Sequence, residues 1–490
     1  MSLRTVGKHT AIYGLGVAIG KLASFLMLPI YTHYLTPADY GILELLSMTV
    51  DVIATIAGMG IAGSVFKFYA DCETREEQDR VISTAAIAMT AVALVTALLG
   101  LAASPALTRI VLGPDVDPRF FRIFFLIYLA QTCEVVPLLL VRVLHRSRLF
   151  VLLNVGKLIA MLSLNIYFVV GRRMGVLGVL LSNLIATTIF GVGVAVFAFR
   201  RAGFRFSSEK FVAMARFGSP MILWTLGNFV LVFSDRYFLQ HVSGPAAVGI
   251  YSLAYKFAFV LAAFAFTPFR MVWEHYRFTI AKQPNAQEVY TRTFTYMNLA
   301  VGSVALVIAL FTPDLLRVMA DPAFLPAQRL VPWLLAAQII FGWVSFANLG
   351  LFLKERTGKL SLVSASCVVV VTVLNLLLIP RFGVLGAAAA TLAAYALRFC
   401  GVYYFSQREY RIEYPWSAVG KIYGVLVAAV LVRNAFDGLP IPASLALGSG
   451  LAAASFAALY RQVLTAAERE LVRRSVLRPW RVLSLVATRG

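Results

Sequence analysis

The sequence predicts an all-α polytopic membrane protein of about 14 transmembrane helices, built as two parallel six-helix repeats plus a terminal helix pair. Three observations carry this. Hydrophobic residues make up 60% of the 490 and charged residues only 14%, whereas a soluble domain is roughly 45–50% apolar and 25% charged. The apolar residues fall in successive runs of about 20, the length that crosses a bilayer as helix. Finally, the chain repeats itself. HYLTPADYGILEL (His33 to Leu45) returns as HVSGPAAVGIYSL (His241 to Leu253), setting Pro37 on Pro245, Gly41 on Gly249 and Ile42 on Ile250. RMGVLG (Arg173 to Gly178) returns as RFGVLG (Arg381 to Gly386) at the same offset of 208 residues. A looser match places Arg146 and Arg148 on Lys354 and Arg356. A period this long indicates doubled bundles rather than a solenoid.

Taken in order, apolar runs near 10–32, 41–66, 81–103, 120–141, 150–170 and 176–199 form the first repeat. Thr36-Pro37 supplies the turn between its first two spans. Runs near 217–240, 247–270, 292–311, 328–352, 360–379 and 384–405 form the second. The offset carries span 1 onto span 7 and span 6 onto span 12. Six spans is an even number, so both units enter the membrane from the same side, related by an axis along its normal. Two further runs, 416–434 and 441–460, lie outside the repeat. The expected divisions are residues 1–205, 206–407, 408–462 and a basic tail at 463–490, with Arg200 to Arg216 as the linker between repeats. The first run continues past Lys21 without a small-residue cleavage site, so it is expected to remain as a membrane helix.

Lys and Arg number 44 against 23 Asp and Glu. Thirty of the 44 fall in alternate connections beginning with the N-terminus, nine in the opposite loops and five within spans. That asymmetry predicts a multi-pass membrane protein with both termini in the cytoplasm. The tail opens with a capping box, Thr465 with Glu468, then Arg469, Arg473, Arg474 and Arg478 around Leu471 and Val472. It is expected as a short basic helix on the anionic leaflet, chiefly an anchor. The basic clusters sit between apolar runs, with no aromatic-interleaved stripe, so nucleic acid is not an expected partner. Cys72, Cys133, Cys367 and Cys400 are scattered and make neither a disulfide framework nor a ligand pair. The five histidines have no metal or catalytic spacing. No enzyme motif is legible and no cofactor is expected. GMGIAG (Gly58 to Gly63) matches the dinucleotide pattern but has no strand before it. Its glycines are read instead as sites of close helix packing or bending. GLGVAIGKL (Gly14 to Leu22) lacks the spacing and hydroxyl of a phosphate loop.

Charge inside a span costs roughly 2.5–3.5 kcal/mol at its centre, so such residues normally face protein or water and mark function. Lys21 shares a face of span 1 with Ser24 and Tyr31. In span 2, Glu44, Ser47, Asp51, Thr55 and Gly58 recur at three- and four-residue steps, a continuous polar stripe. Span 7 carries Thr225, Asn228 and Asp235 beside Arg236, and span 8 carries Ser252 and Lys256. These four spans are repeat partners of one another, so two polar faces are expected to enclose a hydrophilic cleft. The candidate substrate-binding residues are Lys21, Glu44, Asp51, Asn228, Asp235, Arg236 and Lys256. Against this stand structural roles: an ion pair of either lysine with Asp51 or Glu44, and snorkelling of Arg236. Glu134 is read as an inter-helix tie, Lys157 as snorkelling toward the membrane surface, and Arg398 and the outer-loop arginines as interfacial.

Lys8-His9 leading into an apolar helix, LPIYTHYLTPADYGILELL, SDRYFLQ running into VGIYSLAYKF, and the two MGVLG-like openings together resemble bacterial polysaccharide flippases. These belong to the multidrug/oligosaccharidyl-lipid/polysaccharide exporter superfamily, and the resemblance runs from about residue 8 to 405. It implies movement of an undecaprenyl-diphosphate-linked oligosaccharide from the inner to the outer leaflet by alternating access, for polysaccharide or lipopolysaccharide biosynthesis. The implied partners are the lipid-linked oligosaccharide, membrane lipids, and a polysaccharide polymerase and glycosyltransferases. It also implies basic residues for the diphosphate, at Lys21, Arg236 and Lys256. Two other readings are a drug/cation antiporter of the same superfamily and an integral-membrane glycosyltransferase or polymerase.

Overall fold

A computed structural model of the protein describes residues 27–436, 438–466 and 468–470, and among these every regular element is helical. Among the described residues eleven helices are long and apolar enough to cross a membrane. Two of them, Pro220–Glu274 and Thr357–Glu409, run to 55 and 53 residues. At about 1.5 Å per residue each is far longer than a hydrocarbon core of about 30 Å. Each breaks at a glycine that only a residue without Cβ adopts easily: Gly244 (φ 78°) and Gly383 (φ 55°). Each is therefore two passages, and the expected spans 7 and 8, and 11 and 12, are recovered. The expected first span lies outside the described residues except for its last turns. The chain is a multi-pass membrane protein.

The helices begin where local chemistry starts them. Leu28–Tyr34 (α1) ends at a short turn before Pro37–Ala57 (α2). There Thr36 accepts from the Asp39 amide while Asp39 accepts from the Thr36 amide, with Pro37 at the first helical position, where its missing N–H costs nothing. α2 stops at Gly58, Met59 (φ 45°) and Gly60 (φ 67°), and Ile61–Ala70 (α3) resumes. The expected second span, 41–66, is thus a broken helix. Thr74 caps Arg75–Leu107 (α4), whose first turn carries Glu76 and Glu77 in favour with the helix dipole. Arg119–Val143 (α5), Ser147–Asn165 (α6) and Gly175–Ala202 (α7) complete the first repeat. The expected linker contains a further helix, Ser208–Gly218 (α8), capped by Ser207. After it come Pro220–Leu261 (α9), Thr267–Ile280 (α10), Ala286–Met319 (α11), Val331–Ala347 (α12), Leu349–Leu353 (α13) and Thr357–Glu409 (α14). Trp416–Ala435 (α15) and Ile441–Gln462 (α16) pack on each other as a pair.

The repeat shows in backbone geometry as well as in sequence. Gly175 (φ 56°) and Gly383 (φ 55°) both hold a positive φ at the 208 offset. His33 Nδ1 meets Pro29 O at 3.0 Å, and its partner His241 meets Tyr237 O at 2.8 Å. The looser match is corrected. His145 (φ 51°) corresponds to Glu355 (φ 54°), and the Arg146 amide bonds Val141 O as the Arg356 amide bonds Leu351 O. This loop is offset by 210, so Arg146 falls on Arg356.

Two compact units are present. One holds the described residues up to Leu253 with Met319–Ala327 and Ala365–Thr391; the other holds Ala254–Val318, Gln328–Ser364 and those from Leu392 onward. In the first, α5 packs along α4 and α7 with small residues at the crossings. A Cβ on Gly191 would lie 3.0 Å from Ala130 O, so larger residues would force these backbones apart. A core of Ile61, Val65, Val81, Ile82, Met89, Val136 and Leu140 fixes α3 against α4 and α5. Thr32 donates to Met319 O at 2.7 Å, which secures 319–327 to α1.

In the second unit, Leu306 and Leu310 pack on Ala429 and Ala452, which seats the terminal pair on α11. Beneath that contact Asp314 and Arg433, both 2% exposed, form an ion pair at 3.1 Å, with Ser444 bonding both. The interfacial reading of Arg433 is corrected: it folds inward because Asp314 offers a countercharge there. Arg398 is likewise buried, 3.3 Å from Ser364 Oγ and over the Phe341 ring. At Thr465 the capping box forms as expected: the Thr465 amide donates to Glu468 at 2.7 Å, and the Glu468 amide to Thr465 Oγ1 at 3.4 Å.

A hydroxyl-lined cavity as candidate functional site

The stripe on α2 is visible as a pattern of burial. Leu45, Leu46, Met48, Thr49 and Val50 are buried, whereas Glu44, Ser47 and Thr55 are half-buried and Asp51 is exposed. The polar face is the one that the surrounding helices leave uncovered.

Four contacts set the end of α8, the first arm of α9 and the residues just past Gly244 against α2 and its break. A Cβ on Gly41 would strike the Pro245 carbonyl, and a Cβ on Gly249 would strike the Pro37 carbonyl. These are the repeat-related pairs themselves, each proline facing the other copy's glycine. Such reciprocity is what a local two-fold relation produces. Thr49 Oγ1 lies 3.0 Å from Tyr237 Oη. Beyond the break, a Cβ on Gly218 would lie 2.6 Å from Gly60 C and O and Met59 O. As α2 ascends through 41, 49 and 60, its partners descend through 245, 237 and 218, so the two run antiparallel. Of the GMGIAG glycines, Gly60 serves both bending and close packing, through a left-handed φ and a backbone contact, whereas a Cβ on Gly63 would meet nothing within 4 Å.

Between the Thr49–Tyr237 tie and the Gly60–Gly218 contact the helices part around a cavity of about 290 Å³. Thr55 of α2, Gly58 just past its end and Thr225 of α9 line it, whereas none of Glu44, Asp51, Asn228, Asp235, Arg236 and Lys256 does. Met89 and Val92 of α4, and Tyr128, Thr132 and Val135 of α5, form the remaining wall. Tyr128 and Thr132 escape the sequence reading; their only signal is an i, i+4 pair of hydroxyls in an apolar span. Among the described residues no charged side chain lines the cavity. Asp51 stands one turn from Thr55, whose hydroxyl donates to the Asp51 carbonyl at 2.8 Å.

The other expected residues divide. Asn228 is half-buried and donates to Trp224 O within its own helix at 3.0 Å. Asp235 and Arg236 do not face the cavity. They are 3% and 1% exposed and pair at 2.7 Å. Asp235 also accepts from Tyr251 at 2.6 Å and from Thr391 at 3.2 Å, while Arg236 donates to Val232 O at 2.7 Å and lies over Tyr251. With Asn375 donating to Ser234 at 3.3 Å, this network ties 365–391 of α14 to α9. Breaking such a buried pair costs about 3–5 kcal/mol, so in this conformation it holds helices together. Glu44 and Lys256 are half-buried in α2 and α9 respectively. Lys21 lies outside the described residues. Glu134 and Lys157 bond each other at 2.5 Å, which makes Glu134 the expected inter-helix tie and gives Lys157 a partner inside the span rather than at the surface. Among the described residues no group of three His, Cys, Asp or Glu could hold a metal.

A family model described as polysaccharide biosynthesis protein matches residues 6–273. The chain belongs to this family. It is a transporter of the multidrug/oligosaccharidyl-lipid/polysaccharide exporter superfamily rather than an enzyme. Similar solved structures share the fold at low identity. The lipid II flippase MurJ in an inward closed conformation is 10% identical, with a TM-score of 0.65 over 93% of this chain and 100% of that one. An inward-facing multidrug resistance MATE family transporter is 15% identical, with a TM-score of 0.61 over 79% and 94%. A multidrug resistance MATE family transporter in an outward-facing conformation is 15% identical, with a TM-score of 0.56 over 82% and 95%. No curated protein matches the chain in sequence.

Proposed function

We propose that the protein is a flippase that moves an undecaprenyl-diphosphate-linked oligosaccharide from the inner to the outer leaflet of a bacterial cytoplasmic membrane, both termini being cytoplasmic. The observation that carries this reading is the cavity: threonines of both repeats, Thr55 and Thr225, line one hollow among the helices. Lipid-facing helices have no use for such a hollow, and a drawn-through polar headgroup does. Membership of the polysaccharide biosynthesis family supports the same cargo. The six-helix repeats, about 1–205 and 206–407, rock so that the polar faces open to one side and then the other. The break at Gly58–Gly60 and the one at Gly218–Ser219 give α2 and α9 places to bend.

Lys21 and Lys256 hold the diphosphate, while Glu44, Asp51 and Asn228 line the polar route. A lysine about 4 Å from a phosphate charge returns roughly 4 kcal/mol at an effective dielectric near 20. That is enough to desolvate the headgroup and weak enough to release it. Two negative charges leaving a negative interior gain roughly 4–5 kcal/mol per 100 mV, so the membrane potential assists. The polyprenyl tail stays in lipid. The product supports polysaccharide or lipopolysaccharide assembly, with a polymerase and glycosyltransferases as partners.

The test is reconstitution in liposomes with a fluorescent diphospholipid oligosaccharide, scoring leaflet exchange. Wild type is expected to exchange it, and Lys21→Ala and Lys256→Ala to slow exchange strongly. Unchanged exchange in both variants removes the lysines from the site, and no exchange by wild type removes the reading. One observation favours a second reading, an antiporter of amphipathic cations: Asp51 is exposed one turn from a cavity walled by Met89, Tyr128 and Met221. Uptake of an organic cation by the same liposomes, without lipid exchange, would establish it.

A further inference from the structure

We infer that the cavity between α2, α4, α5 and α9 is a subsite for one uncharged sugar ring of the carried saccharide, separate from whatever holds the diphosphate. The inference rests on the flippase reading and adds which part of the cargo sits here. Its basis is the direction of the hydroxyl protons. Thr55 donates to Asp51 O at 2.8 Å, Thr132 to Tyr128 O at 2.9 Å and Thr225 to Met221 O at 2.9 Å, each within its own helix. A hydroxyl has one proton and two lone pairs. With the protons committed to backbone carbonyls, the three oxygens present lone pairs. Tyr128, on the same wall, adds one phenolic O–H, so the wall offers three committed acceptors against a single donor.

That pattern selects. A phosphate brings only acceptors at its charged oxygens, so at all three threonines oxygen would face oxygen, and among the described residues no cationic side chain lines the hollow to compensate. A sugar ring brings hydroxyl donors on its rim and C–H groups on its faces. The rim meets the three threonines while the faces lie on Met89 and Met221, whose flexible thioethers adapt to ring shape. The volume, about 290 Å³, equals the share of about ten waters at ~30 Å³ each. It is room enough for a single hydroxylated ring. The hydroxyl-accepting wall also explains how a mostly apolar pocket discriminates. A buried acceptor left without its donor is costly, so a cargo lacking hydroxyls is disfavoured.

The experiment uses the full-length protein in detergent and two probes, a short-chain polyprenyl diphosphate carrying a disaccharide and the same lipid without sugar. Binding of each is measured for wild type, Thr55→Val with Thr225→Val, and Thr132→Val. Valine keeps the shape and removes the acceptor, and none of these hydroxyls joins two helices, so the fold is retained; thermal midpoints check this. Wild type is expected to bind the saccharide lipid more tightly than the bare lipid. The double substitution is expected to weaken saccharide-lipid binding about tenfold, leaving the bare lipid unchanged. Equal binding of both lipids by wild type, or a sugar preference that survives all substitutions, overturns the subsite and leaves the flippase reading standing. Failure to bind either lipid overturns both. Tight binding of tetraphenylphosphonium that displaces the saccharide lipid reassigns the hollow to organic cations.

Discussion

The reciprocal crossing of α2 with the chain after Gly244 yields a prediction whose sign is set by geometry. Replacing glycine by alanine in an open helix interior normally stabilises by roughly 0.5–1 kcal/mol, because the unfolded chain loses freedom. At Gly41 and Gly249 the new methyl would instead enter the carbonyl of Pro245 or Pro37. Overpacking costs about 1–3 kcal/mol, and the upper end applies because the obstacle is backbone with no rotamer to relieve it. The net expectation for Gly41→Ala or Gly249→Ala is about 2 kcal/mol of destabilisation. A shift of about 2–4 °C per kcal/mol holds for 150–250 residues and falls with chain length, so the midpoint is expected to drop by at most about 4 °C. The two sites share one contact, since Gly249 N is 3.0 Å from the Gly41 Cβ position. Once the first methyl has spread the helices the second costs less, so the double variant falls short of additivity by about 1 kcal/mol. Gly63→Ala is the control, because its Cβ meets nothing within 4 Å. It is expected to be neutral or slightly stabilising. Midpoints of the purified protein in detergent, followed by far-ultraviolet circular dichroism, give the comparison. If alanine at 41 and 249 raises the midpoint as it does at 63, the helices do not cross there and the antiparallel seam is wrong.

The remaining predictions concern charges. Asp314→Asn should destabilise by about 3–5 kcal/mol by leaving buried Arg433 uncompensated, and Arg433→Met by less, because Arg317 also stands 3.9 Å from Asp314, while the double substitution should recover most of the Asp314→Asn loss. Midpoints and membrane yield check this, and no rescue in the double variant would mean that the pair does not anchor α15 and α16. Asp235→Asn and Arg236→Met should behave alike for folding, and the double variant should keep leaflet exchange within about twofold. Loss of exchange in a well-folded double variant would restore both residues to the substrate site. Glu468, outside the membrane-spanning segments, has its carboxyl held below the usual range, first by the Tyr296 hydroxyl and then by the Thr465 amide. Its folded-state pKa is depressed, so its contribution is complete above the unfolded value of about 4.3 and is lost as pH falls through the lowered one. Amide-exchange protection at 465–470, relative to intrinsic rates, should drop in that acidic window and stay flat above about pH 5.

Much of this architecture is written in the order of residues. Apolar runs of membrane length, Thr36-Pro37 and Thr465 with Glu468 as start signals, and the recurrence of Pro37 and Gly41 at Pro245 and Gly249 are local or periodic properties. No folding is needed to read them, since each depends on neighbours a few residues away or on a fixed offset. The polar stripe on α2 was legible for the same reason: three- and four-residue steps define a helix face. What lies opposite that face was not. Thr55 and Thr225 approach Tyr128 and Thr132 only because Gly60 meets Gly218 and the threonine-bearing helices part just above. That depends on backbone contact between segments far apart in the chain. Asp235 and Arg236 present the same charges in sequence as any exposed pair, and only packing against Tyr251 and Thr391 buries them. Arg433 turns inward because Asp314, 119 residues earlier, waits there. Composition and period decided that this chain is a duplicated membrane bundle, since both follow from its solvent and its own repetition. Tertiary contact decided which charges are structural and where the hollow is, because burial belongs to the assembled neighbours and to no residue alone.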